Sequence, residues 1–218
     1  MGIGNLNIRK DILLVGITGI FGSGKSSVAS IFKKENIPVI SCDEIVHQLL
    51  EMPQIIEKVK EILGPDVVKG NKLDRKKMAE IIFSDKEKKT LIENLIHPFV
   101  FKEIEKRILD TGRDKGIIVI EIPLLFETKS ESYFDKIIVV SASPEVIKER
   151  LKGKFSEEEI EKRWENQIPL SYKEKKADFV INNSFTFNQT YEETKKVIEI
   201  LKKQCCKNKG GKWKKQKS

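Results

Sequence analysis

Short apolar runs rich in β-branched residues recur along the chain at Ile12 to Ile17, Pro38 to Ser41, Ile117 to Ile122, Ile137 to Val140 and Phe179 to Ile181. They are nearly continuous rather than alternating with polar residues, so each reads as a strand buried on both faces, as in a parallel sheet. Stretches with helical spacing separate most of them. The alternation predicts an α/β fold built on a doubly wound parallel sheet, with its ligand crevice beyond the carboxyl ends of the strands.

Two stretches interrupt the pattern. From about Ile45 to Leu109 the spacing is helical with almost no strand character, which predicts an inserted helical subdomain. Leu73-Asp74, Ser84-Asp85 and His97-Pro98 mark helix starts within it, Pro98 suiting a first helical position, while Gly64-Pro65 and Gly70-Asn71 mark turns. After Val140, Ser143-Pro144 opens a helix through Leu151, Gly153 ends it, and Ser156 with Glu159 forms a capping box for another helix that closes near Pro169. A last helix is expected over about Thr190 to Lys203, with Thr190 and Glu193 as its capping box.

Composition narrows the class. Of 218 residues 39% are hydrophobic, enough for one compact core with an insertion. The formal charge is +8, yet residues 204–218 hold six lysines and no acid, which leaves +2 for the rest. The basicity therefore belongs to a solvated tail, and no nucleic-acid partner is expected. Three cysteines without a Cys-x-x-Cys pair, and His47 and His97 without ligand spacing, argue against a zinc site and for a reducing, cytoplasmic setting. Arg9-Lys10 before the first apolar run resembles the start of a secretory leader, but the run is short and glycine-broken. Nothing approaches the roughly 20 apolar residues of a membrane span. No membrane partner is expected, and a monomer is the default.

The chemistry starts at Gly19-Ile20-Phe21-Gly22-Ser23-Gly24-Lys25-Ser26, which satisfies Gly-x-x-x-x-Gly-Lys-Ser/Thr between a strand and a helix. Glycines let the backbone curl so that the N–H groups of Gly22, Ser23, Gly24 and the following residues through Ser27 face phosphates. Lys25 balances β/γ charge, and the Ser26 hydroxyl suits Mg²⁺. ATP and Mg²⁺ are the cofactors this predicts. After the last strand stands Asn182-Asn183-Ser184 rather than the Asn-Lys-x-Asp of GTPases, and the two insertions match the layout of the nucleoside-kinase group, where they bind the acceptor and form a lid. Asp43, at the end of the second strand, is the candidate base, with an N-cap of the helix Glu44 to Leu50 as its structural alternative. Glu121, an acid inside an apolar strand, is the candidate metal residue beside Ser26. Arg150, Lys152, Lys154 and Arg163 supply cations that can close over a transferring phosphate, although Lys152 or Arg163 taken singly reads more readily as a solvated charge. The division that follows is a P-loop core of 1–45, 110–150 and 176–203, an acceptor-binding insertion of 46–109, a lid of 151–175 and a basic, disordered tail of 204–218.

With these residues placed, the sequence resembles the dephospho-CoA kinase family from about residue 12 to 200. The blocks that carry the likeness are the loop itself, Cys42-Asp43, Gly70 with Leu73-Asp74-Arg75, Ile96-His97-Pro98, Pro123-Leu124-Leu125-Phe126-Glu127, Arg150-Leu151, Gln167, and Ala177-Asp178 with Asn183-Ser184. The resemblance implies phosphorylation of the ribose 3′-hydroxyl of dephospho-CoA by ATP. It implies Asp43 as general base, catalytic roles for Lys25 and Arg150, an acceptor site that includes His97 and Leu124, and Asn183 near the adenine. Another small-molecule or nucleoside monophosphate kinase is the alternative. The chain departs from the family's pattern at Ser41, where Asp is usual, at Ile20, where Gly is usual, and at Phe101, where Arg is usual.

Overall fold

The computed structural model describes residues 11–112 and 115–207. The Arg9-Lys10 leader reading and residues 208–218 of the expected tail fall outside that range. In chain order the elements are β1 (Asp11–Thr18), α1 (Lys25–Lys34), β2 (Val39–Ser41), α2 (Cys42–Leu49), α3 (Pro53–Leu63), β3 (Val68–Lys69), β4 (Lys72–Leu73), α4 (Arg75–Ser84) and α5 (Lys86–Asp110). There follow β5 (Lys115–Glu121), β6 (Lys136–Ser141), α6 (Pro144–Leu151), α7 (Glu157–Glu165), α8 (Leu170–Lys176), β7 (Phe179–Asn182) and α9 (Phe187–Lys207).

Five strands form one sheet in the order β2-β5-β1-β6-β7. β1 pairs in parallel with β5 and β6, and β6 pairs in parallel with β7. The doubly wound expectation holds, because the apolar runs are apolar on both sides for a reason: Val15, Ile17, Val119, Ile138 and Val140 are sealed from solvent on one face under α1 and α9. Ile118 and Ile120 are equally buried. The chain leaves β1 for one side of the sheet and later crosses to the other, so the loop after β1 sits at the switch point where such folds bind ligands.

The described residues divide into two compact units, one of residues 41–110 and one made of the remainder. In the first unit, α5 is a single helix of 25 residues with Pro98 inside it, not a helix that starts there. Proline costs an interior helix about 3 kcal/mol. Ile92, Ile96, Val100, Ile104 and Ile108 bury a stripe that runs through that point, and burial of each side chain is worth about 1.5–3 kcal/mol, so the stripe outweighs the break. α2, α3 and α4 all pack on α5. The expected turn at Gly70-Asn71 joins two strands of two residues each, too short to show a period, with Val68 opposite Leu73 and Gly70 at φ 60°. The letters Asn-Lys-x-Asp do occur, as Asn71-Lys72-Leu73-Asp74, but they form this hairpin and the cap of α4, where Asp74 accepts the Lys77 amide.

Helix starts elsewhere follow the capping signals with two corrections. Ser41, not Asp43, is the N-cap of α2, accepting the Glu44 amide, and Asp43 lies in the first turn. α9 starts a turn earlier than expected, because Thr186 and Gln189 exchange the reciprocal bonds of a capping box. Thr190 is thereby inside the helix, and Gln204 to Lys207 are helical instead of tail. Among the described residues no helix is long and apolar enough to cross a membrane.

Candidate active site

The loop between β1 and α1 is held in a shape that only its glycines permit. Gly22 has φ +80°, and a β-carbon there would lie 2.4 Å from Ile147 and 2.8 Å from Leu151, because α6 packs directly on the loop. Gly24, the N-cap of α1, has φ +88°, and a β-carbon there would lie 2.0 Å from Asn183 Nδ2. Both positions exclude a side chain by conformation and by space. A β-carbon on Gly24 would also lie 3.8 Å from Arg150 Nη1, so the expected lid cation on α6 stands beside the loop. Lys25 Nζ donates to the carbonyls of Ile20 at 3.1 Å and Gly19 at 3.4 Å, lying across the curl it closes.

The two expected metal residues meet. Ser26 Oγ donates to Glu121 Oε1 at 2.8 Å, although 95 positions separate them, since parallel pairing of β1 with β5 brings Glu121 level with Ile17. Glu121 is 6% exposed, so the carboxylate is held inside the sheet's carboxyl edge rather than in solvent. Ser27 is exposed, and its amide is bonded to the Gly24 carbonyl as the first turn of α1. Asn183, buried after β7, spends its side chain on the loop and on α9: Nδ2 donates to the Ser23 carbonyl at 2.8 Å and Oδ1 accepts the Thr190 hydroxyl at 2.9 Å. Leu124 is 37% exposed in the turn after β5, and the Thr18 hydroxyl ties that turn to β1 through the Pro123 carbonyl.

Asp43 and His97 belong to the other unit. Asp43 is exposed in the first turn of α2, two residues past the end of β2. His97 is half-buried on α5 with its ring 6.4 Å from that of Phe101, and α2 packs against α5.

Side chains from α7 and the segment after it also grip the loop, which spacing gave no means of seeing because they are more than 140 positions away. Trp164 Nε1 donates to the Phe21 carbonyl at 3.0 Å, and Gln167 Oε1 accepts the Phe21 amide at 2.8 Å. Arg163, one of the candidate lid cations and otherwise expected as a solvated charge, lies over the rings of Phe21 at 4.7 Å and Phe155 at 4.9 Å. Lys152 is 75% exposed beside Glu149. α7 is fastened to α6 by Lys148, whose ammonium donates to Glu161 at 2.8 Å and Glu157 at 2.9 Å, contacts that push its pKa up. At the far end of the segment Glu127 Oε1 accepts the Ile168 amide at 2.9 Å and lies 2.8 Å from the ammonium of the fully buried Lys173.

Residues 13–189 match the family model for dephospho-CoA kinase. The chain is 39% identical to the dephospho-CoA kinase of Aquifex aeolicus over 191 residues, 86% of this chain and 96% of that protein. The chain belongs to the dephospho-CoA kinase family. It is likewise 39% identical to the dephospho-CoA kinase of Bartonella quintana over 194 residues, 87% of this chain and 98% of that one. Among solved structures, the dephospho-CoA kinase from Campylobacter jejuni aligns with a TM-score of 0.60 at 30% identity, over 88% of this chain and 99% of its own. A Thermus thermophilus protein aligns with a TM-score of 0.78 at 30% identity, over 86% and 96%.

As a member of this family the chain is a kinase, and its departures from the family pattern have local explanations. Ser41 caps α2 through its hydroxyl. Ile20 fills a small cluster with Ala142 and Ile147, against which Leu151, Trp164 and Leu170 also pack. Phe101 sits one turn from His97 and meets its ring.

Proposed function

We propose that the chain transfers the γ-phosphoryl group of ATP to the ribose 3′-hydroxyl of dephospho-CoA, giving coenzyme A and ADP. The observation that carries the reading is the bond from Ser26 to the buried Glu121 at the mouth of a complete phosphate loop, in a chain of this family. Both donors are oxygens, which suits Mg²⁺, and among the described residues no group of three His, Cys, Asp or Glu forms a metal cage by itself. The pair fits a cation that enters with nucleotide phosphates: Ser26 and Glu121 would hold Mg²⁺, which would supply neutralisation of phosphate charge.

The chain's own groups then divide the work. Loop N–H groups such as those of Gly22 and Gly24, together with the Lys25 ammonium, receive the β- and γ-phosphates, whereas the expected donors Ser23 and Ser27 have their amides on the Ile20 and Gly24 carbonyls; Asn183 holds the loop. Asp43 orients the ribose hydroxyl and takes its proton as the oxygen bonds to phosphorus; the bridging oxygen leaves with ADP. Arg150 offsets the charge that spreads over the transferred group. His97 and Leu124 contact the acceptor, and residues 46–109 and 151–175 act as acceptor-binding insertion and lid. In this reading the enzyme is cytoplasmic and monomeric, acting on small molecules without nucleic-acid or membrane partners.

ADP release with and without dephospho-CoA tests the assignment. Release that depends on dephospho-CoA is expected. If dephospho-CoA gives no more ADP than buffer while a nucleoside monophosphate does, the acceptor is wrong and the kinase class stands.

A further inference from the structure

The side chains around Phe21 do more than pack. A trans peptide puts its carbonyl and the following N–H on opposite sides. Trp164 holds the Phe21 carbonyl from outside the loop, which turns the Gly22 N–H the other way. Gln167 holds the Phe21 N–H from the same segment, which turns the Ile20 carbonyl the other way, and that carbonyl is where Lys25 Nζ and the Ser23 amide are found. The outer side of the loop is thus the side of Trp164 and Gln167, and the inner side is that of Lys25. Asn183 repeats the device one peptide pair later, pinning the Ser23 carbonyl so that the Gly24 N–H turns away from it.

We infer that Trp164 and Gln167 are positioning residues for nucleotide binding. They fix two consecutive loop peptides in the orientation that presents the Gly22 amide to phosphate, so the donors are set before the nucleotide arrives. The segment that carries them is anchored independently of the loop. Its Ile168 amide and its Lys173 ammonium both converge on Glu127, while Arg163 lies over the touching rings of Phe21 and Phe155. The short stretch from Trp164 to Lys173 is a brace between the turn after β5 and the phosphate loop. The expectation of a lid over 151–175 is refined accordingly: its carboxyl-terminal part is built into the loop's own hydrogen bonding.

This inference rests on the reading that the loop binds ATP, and the experiment separates the two. Trp164→Phe keeps an aromatic ring and removes the N–H with the rest of the pyrrole ring; Gln167→Met keeps the length and removes the amide, with its acceptor oxygen. Titration with ATP is expected to show each variant bound about fivefold more weakly than wild type, the effect of one lost hydrogen bond, with KM for dephospho-CoA within about twofold. A role in fold stability alone would not move the ATP constant while sparing the acceptor's. Variants that bind ATP like wild type, or that lose ATP and acceptor in equal measure, overturn the inference and leave the kinase assignment intact. Wild-type protein that does not bind ATP removes both. If a variant fails to fold, hydrogen exchange of the Trp164 indole proton in wild-type protein decides: protection is expected, and free exchange refutes the bond on which the argument stands.

Discussion

Replacing Glu127 by glutamine removes one charge from an ion pair that solvent barely reaches. The Lys173 side chain has 0% exposure and Glu127 has 16%, with Nζ and Oε1 2.8 Å apart. The ammonium is close to the carboxylate but off the direction of a well-formed hydrogen bond, so the attraction is chiefly between charges. Glu127→Gln keeps an oxygen for the Ile168 amide and leaves Lys173 charged, sealed and uncompensated, a change worth about 3–5 kcal/mol in buried pairs. Lys173→Met leaves a carboxylate that still holds the Ile168 amide and touches solvent, so its cost should be smaller, about 1–3 kcal/mol. In the double variant no charge remains and the methionine fills the lysine's stem, and stability should return to within about 1 kcal/mol of wild type. Urea unfolding of the four proteins gives these differences and their coupling. A Glu127→Gln variant that loses less than about 1 kcal/mol, or a double variant as unstable as the worse single one, would refute the argument that the pair is held by charge in a dry site.

Three further outcomes are expected. Asp43→Asn should retain ATP binding by titration while turnover falls roughly 10²-fold or more, and retained turnover would remove Asp43 from the base role. Gly24→Ala should abolish ATP binding, since its β-carbon would lie 2.0 Å from Asn183 Nδ2, whereas Gly153→Ala, with φ +79° but nothing within 4 Å, should show backbone strain in a melt and normal ATP binding. Burial pushes the Asp135 carboxyl above its ordinary 3.8, against the opposing bond from the Leu14 amide. A raised folded-state value gives stability that is full below 3.8 and lost as pH climbs through the folded value. Asp135→Asn keeps an oxygen for Leu14 and should escape that loss, so its melting temperature should gain on wild type as pH rises from 3.8 and then level off; a gap that narrows with rising pH is the contrary result.

Legibility followed the range of the physics. Capping is local, and Asp74, Ser143 and Ser156 accept the amides three residues on, as spacing predicts. It misled where a competing term was larger or where two candidates stood close together. Pro98 reads as a helix start because its backbone suits one, but the buried stripe of α5 carries the helix through it. Thr190 copies a capping residue, yet its hydroxyl serves Asn183, and Thr186 does the capping one turn earlier. Asn183 was expected near the adenine from the family likeness, and its clamp on the Ser23 carbonyl was not legible in the sequence.

The amino-acid sequence by itself determined the strands of the five-stranded sheet, the phosphate loop and the family, because apolar runs, glycine spacing and consecutive blocks are properties of neighbouring residues. It also offered Ser26 and Glu121 as candidate metal partners from position and chemistry. Only the tertiary structure decided that these two touch, that Arg163 stacks on Phe21 where a free cation was expected, and that Trp164 and Gln167 orient the loop's peptides. Those contacts join residues about 95 to 150 positions apart, and nothing in local pattern fixes where parallel strand pairing and helix packing will bring such residues together.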